Sequence, residues 1–74
     1  MAVRVIEVVM GYGWRDRLRK AVVDAGFNIS ERWEGPTTCG VVVRTKLPVA
    51  EFEEVLRTFL QFDGWMDFNE GEQP

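Results

Sequence analysis

The sequence predicts a single α+β domain in which a four-stranded antiparallel sheet carries two helices on one face. Three observations lead there. The chain has 74 residues, enough for one hydrophobic core and too few for a second. Its apolar residues alternate between strand-like and helix-like spacing in the order strand, helix, strand, strand, helix, strand. Glycines and prolines punctuate the boundaries between these segments.

Residues 2–10 form a β-branched run of Val3, Val5, Ile6, Val8 and Val9, interrupted by Arg4 and Glu7. They read as a largely buried strand. After Gly11-Tyr12-Gly13, the residues Trp14, Leu18, Ala21, Val22 and Ala25 recur at helical spacing, and Gly26 supplies the stop. From Phe27 to Glu34 the residues Phe27, Ile29, Glu31 and Trp33 alternate with polar ones, which predicts a half-buried strand with those four side chains in one row. Gly35-Pro36-Thr37-Thr38 is a turn, and Gly40 to Lys46 returns as a valine-rich strand, so the pair is a hairpin. Pro48 suits the first turn of a second helix, whose stripe is Val49, Phe52, Val55, Leu56, Phe59 and Leu60. Asp63-Gly64 breaks it, and Trp65 to Asn69 alternate as a short last strand. The domain is therefore expected to span residues 1–69, with 70–74 a frayed acidic tail.

Right-handed crossovers fold this element order most simply into a ferredoxin-like βαββαβ sandwich, leaving one sheet face without helices. Either Val3, Val5 and Val9 or Ile6, Val8 and Met10 must point to that open face, because successive strand residues point to opposite sides. Cover by a second copy or by a partner protein is the expectation that follows.

Composition excludes several chemistries. The chain contains no histidine and one cysteine, Cys39. It therefore lacks the usual neutral-pH general base, the partner of a Ser/His or Cys/His nucleophile, and a cysteine-based zinc site. Cys39 in a hairpin reads as a small core filler. No metal and no cofactor are expected, and neither is an enzymatic activity. The carboxylate pairs Glu51/Glu54 and Asp63/Asp67 lack calcium-loop spacing. Arg4 and Glu7 in the first apolar run argue against a signal peptide or membrane span, so a cytoplasmic protein without membrane association is expected.

Charge is distributed unevenly. Residues 1–46 hold eight basic and five acidic side chains, a net +3, whereas residues 47–74 hold one basic and seven acidic, a net −6. An acidic second half argues against direct nucleic-acid binding, which requires an excess of phosphate-neutralising cations. Glu51, Glu54, Asp63, Trp65, Asp67 and Glu70 instead read as a recognition surface for a protein with a basic face, since exposed tryptophan among carboxylates is a favourable anchor. The competing reading packs Trp65 under the first helix. A second candidate is Gly11, Tyr12, Gly13, Trp14, Arg15 and Arg17, where a strand-to-helix turn with nearby cations is suited to an anion or small ligand.

The stretch Asp24-Ala25-Gly26-Phe27-Asn28-Ile29-Ser30 resembles the turn between first helix and second strand in ACT-like regulatory domains. That resemblance covers one short segment and the overall length. It implies a dimeric regulatory domain binding a small molecule near Gly11 to Arg17. In size and acidity the chain is also similar to phage-encoded inhibitors of host defence, including anti-CRISPR proteins, which implies an inhibitor acting on a basic site of another protein.

Overall fold

The computed structural model describes residues 3–71. Its elements are β1 (Arg4–Gly11), a 3-10 turn (Tyr12–Trp14), α1 (Arg15–Asp24), β2 (Asn28–Glu34), β3 (Thr38–Thr45), α2 (Val49–Leu60) and β4 (Asp67–Gly71). The strands form one sheet in the order β2-β3-β1-β4, and every neighbouring pair is antiparallel. This is the ferredoxin-like arrangement, with two β-α-β crossovers interleaved so that the first strand lies between the third and the fourth. Glu70 and Gly71, expected in a frayed tail, are the last two residues of β4. The remaining tail, 72–74, and the expected strand position Ala2 lie outside the described residues.

β1 settles which valine row faces the helices. Ile6, Val8 and Met10 stand opposite Val43, Val41 and Cys39 of β3, and all six are buried against Leu18, Ala21 and Val22 of α1 and Phe52 and Leu56 of α2. Val5, Glu7 and Val9 therefore point to the other face. The helices run antiparallel. Phe27, just after α1, meets Phe52 near the start of α2 at 4.9 Å between ring centres, and Trp14, just before α1, meets Phe62 after α2 at 4.5 Å.

Both helices end by the same device. Gly26 takes φ +92° after α1, and the amides of Gly26 and Phe27 donate to the carbonyls of Val23 and Val22, a glycine-bearing Schellman closure. After α2 the left-handed position falls on Gln61, at φ 53°, with the amides of Gln61 and Phe62 donating to Thr58 and Arg57. The helix thus stops before Asp63-Gly64. Arg57 steadies this less favourable end by donating through Nη1 to the carbonyls of Phe62 (3.3 Å) and Gly64 (2.9 Å). Pro48 precedes the helix in an extended conformation, φ −58° and ψ 152°, and its carbonyl receives the Phe52 amide.

β2 departs from the expected single row. Ile29 pairs with Val43 and Glu31 with Val42, so a bulge inserts Ser30 as an extra residue, and the Ser30 hydroxyl donates to the Val42 carbonyl at 3.1 Å. One inserted residue reverses the alternation beyond it. Ile29 consequently packs on the helix side, whereas Trp33, opposite Gly40, lies on the open face. There its indole crosses β3 over Gly40 and donates to Glu7 Oε2 on β1 at 2.9 Å. Trp33 is half-buried, as are Val5, Val9 and Val42, so the open face is partly covered by its own tryptophan. A Cβ at position 40 would overlap the indole ring. Gly40→Ala is expected to displace Trp33, break its bond to Glu7 and cost about 1–3 kcal/mol, measurable as a lower unfolding midpoint with altered tryptophan fluorescence.

Candidate functional site

Three connections meet at one end of the sheet. Gly11 at the end of β1 lies opposite Thr38 at the start of β3, and Val9 lies opposite Asp67 at the start of β4. The β1–α1 turn, the β2–β3 hairpin and the α2–β4 loop are therefore neighbours. The Tyr12 amide donates to the Thr37 carbonyl at 3.0 Å, tying turn to hairpin. The tilted Trp14–Phe62 ring contact ties turn to loop. Phe62 also lies over Gly64, where a side chain would collide with its ring.

This end presents two exposed aromatics, Tyr12 at 38% and Trp65 at 59% of their full accessible area. Trp65 does not pack beneath α1; the aromatics partly buried against the core at this end are Trp14 and Phe62. Trp65 follows the segment held by Arg57, whose Nε also pairs with Glu53 at 2.8 Å. Asp63 and Asp67 flank it, and among the described residues no ion pair engages either. Asp67 accepts a hydrogen bond from Asn69 Nδ2 at 3.1 Å.

The two arginines beside the turn lie over its aromatic rings. Arg15 donates to the Tyr12 carbonyl at 3.2 Å, its guanidinium lies 4.2 Å from the centre of the Tyr12 ring, and its Nε lies 4.0 Å from Glu34. Arg17 sits 5.2 Å from the Trp14 ring centre. Gly11 and Gly13 thus belong to a turn whose cations contact aromatic faces, an arrangement that rigidifies the surface. Behind it Cys39 is buried and donates to the Gly11 carbonyl at 3.5 Å. Burial, and secondarily the Glu34 carboxylate, raise its thiol pKa above the usual 9.0. The neutral thiol is the poorly nucleophilic form. The space beside it, lined in part by Arg15, Glu34 and Cys39, is about 20 Å³, no more than one water requires. Among the described residues no group of three or more cysteine, aspartate or glutamate side chains is placed to hold a metal ion. No helix of the described residues is long and apolar enough to cross a membrane.

The six residues read from the sequence as one acidic surface divide into three places, two of which adjoin where Glu54 and Asp63 line one concavity. Asp63, Trp65 and Asp67 share the loop end. Glu51 and Glu54 lie on the solvent side of α2, beside Val55, Thr58 and Phe59. Glu70 pairs in register with Ile6, well along β4 from the loop end, and is held by Arg4 at 3.0 Å. Periodicity places Phe59 in the core stripe of α2, yet it is 51% accessible. The signal is an excess: six large apolar residues in a twelve-residue helix make a wider band than one sheet contact covers.

Fold and site define a class: a small ferredoxin-like domain whose polar and aromatic loops gather at one end. The chain matches no protein-family model and no curated protein.

Proposed function

We propose that this protein is a non-enzymatic protein-binding module that docks through its loop end onto a basic surface of its partner. The carrying observation is Trp65, largely exposed, on a loop clamped by Arg57 and flanked by two carboxylates that no ion pair engages among the described residues. Tryptophan, tyrosine and arginine dominate binding energies at interfaces, and Tyr12, braced by Arg15, stands on the adjoining turn. Partner cations facing Asp63 and Asp67 accelerate encounter and fix orientation. An inhibitor that covers a basic site of another protein is one form of this function.

Charge reversal tests the reading. The Asp63→Lys, Asp67→Lys double variant is expected to retain its unfolding midpoint, because both sites are exposed. Its affinity for the partner isolated from the source cell is expected to fall at least about tenfold, chiefly through slower association, and wild-type binding is expected to weaken with added salt. Undiminished capture by the double variant at every salt concentration would overturn it.

A further inference from the structure

The two helices lie side by side on one face of the sheet and carry opposite charge. α1 holds four basic and two acidic side chains, a net +2, and α2 holds three acidic and one basic, a net −2. Between them Phe59 forms an exposed apolar ridge. On one flank of the ridge is a groove of about 170 Å³ whose cations are Arg17 and Lys20. On the other is a concavity of about 340 Å³ bearing Glu51 and Glu54. Lys20 touches Asp24 at 2.9 Å, so that pair is neutral within its own helix and Arg17 carries the groove's net positive charge.

A patch with an apolar ridge, cations on one side and carboxylates on the other is complementary to itself. We infer that the occupant of this face is a second copy of the chain, in a two-fold dimer that stacks the Phe59 ridges and sets Glu51 and Glu54 of each protomer against Arg17 and Lys20 of its partner. A two-fold interface pairs residue i with j and j with i, so each charge contact occurs twice. The small core of a 74-residue chain gains from such cover. The Trp65 loop is not used, so the dimer goes beyond the docking function and carries two copies of that site.

The test is a charge swap followed by sedimentation equilibrium. Wild-type protein at low salt is expected at twice the 8.5 kDa chain mass, dissociating as salt rises. Glu51→Lys with Glu54→Lys places cations on both flanks, and Arg17→Glu with Lys20→Glu places carboxylates on both. Each variant alone is expected to be monomeric with native circular dichroism. Their equimolar mixture restores every attraction and is expected to return the double mass as a heterodimer. Phe59→Ala is expected to weaken self-association about thirtyfold, as loss of a central anchor does. A monomeric wild type at all concentrations, a mixture that stays monomeric, or a dimer that persists in each variant alone, as one formed through the sheet face would, overturns the inference. Loss of partner capture is read separately with Asp67→Lys alone, because Asp67 lies at the loop end opposite Val9, whereas Asp63 shares a concavity with Glu54 and Thr58.

Discussion

Replacing Phe52 with alanine is expected to remove most of the domain's stability, whereas the same replacement at Phe59, seven residues along the same helix, is expected to remove little. Phe52 has no accessible surface. Its ring meets Phe27 edge-on at 4.9 Å and Phe68 at 6.0 Å, so it joins α2 to the α1–β2 connection and to β4. Truncating a buried phenylalanine costs about 3–5 kcal/mol, because the transfer energy is lost and the surrounding atoms close the cavity only partly. A chain of this size has a total stability of about 4–11 kcal/mol. The variant should therefore lie near or beyond its unfolding midpoint, whereas Phe52→Leu should recover much of the loss. Phe59→Ala, at a half-exposed site, should change stability by under about 1 kcal/mol. Urea denaturation of the three variants under conditions that keep the chain monomeric checks both statements.

The contrast between these two phenylalanines also marks how far the sequence was legible. Periodicity identified the four strands and the two α-helices, because each apolar face repeats over several residues and Gly26 stands where a left-handed residue is needed, but it set the last strand two residues early. Periodicity cannot rank positions within a stripe. Phe59 and Leu56 fit the same helical pattern, and only the breadth of sheet beneath α2 determines that Leu56 is buried and Phe59 is not. Trp33 shows a different limit. Its alternation with Phe27 and Ile29 was real up to Ser30, and a bulge, a local event of one residue, then moved the tryptophan to the opposite face. The charged Glu31 inside an otherwise apolar row was the available sign of that break.

Site residues were legible in type more than in grouping. Acidic and aromatic residues late in the chain suggested a surface, but nearness in sequence is not nearness in space. A short strand carries Asp67 and Glu70 to different points along β1, and Arg4 engages the latter. Conversely, the turn at Tyr12–Trp14 and the loop at Phe62–Trp65, about fifty residues apart, were two separate candidates. The fold joins them through one ring contact. Antiparallel pairing of β1 with both β3 and β4 makes that meeting unavoidable, since it brings the end of β1 beside the beginnings of both strands.

That junction gives the second large effect. Trp65→Ala is expected to weaken partner binding by about 2–4 kcal/mol, or roughly 30- to 1,000-fold, the range for a tryptophan anchor that becomes buried at the centre of an interface. Stability should change by no more than about 0.5 kcal/mol, because the side chain is 59% exposed in the free protein. The size of the effect depends on preorganisation. Arg57 holds the carbonyls of Phe62 and Gly64, and Phe62 packs against Trp14, so the loop surrenders little conformational freedom on docking. Arg57→Ala should therefore lower affinity while leaving Trp65 itself unchanged, and it should do so mainly through faster dissociation or a less favourable binding entropy, as expected of a positioning residue. Tyr12→Ala should have a smaller effect, since Tyr12 is only 38% exposed and part of its ring is covered by Arg15. Calorimetric titration with the purified partner distinguishes these outcomes. Unchanged affinity in Trp65→Ala would remove the loop end as the docking surface, whereas unchanged affinity in Arg57→Ala alone would remove only the argument from preorganisation.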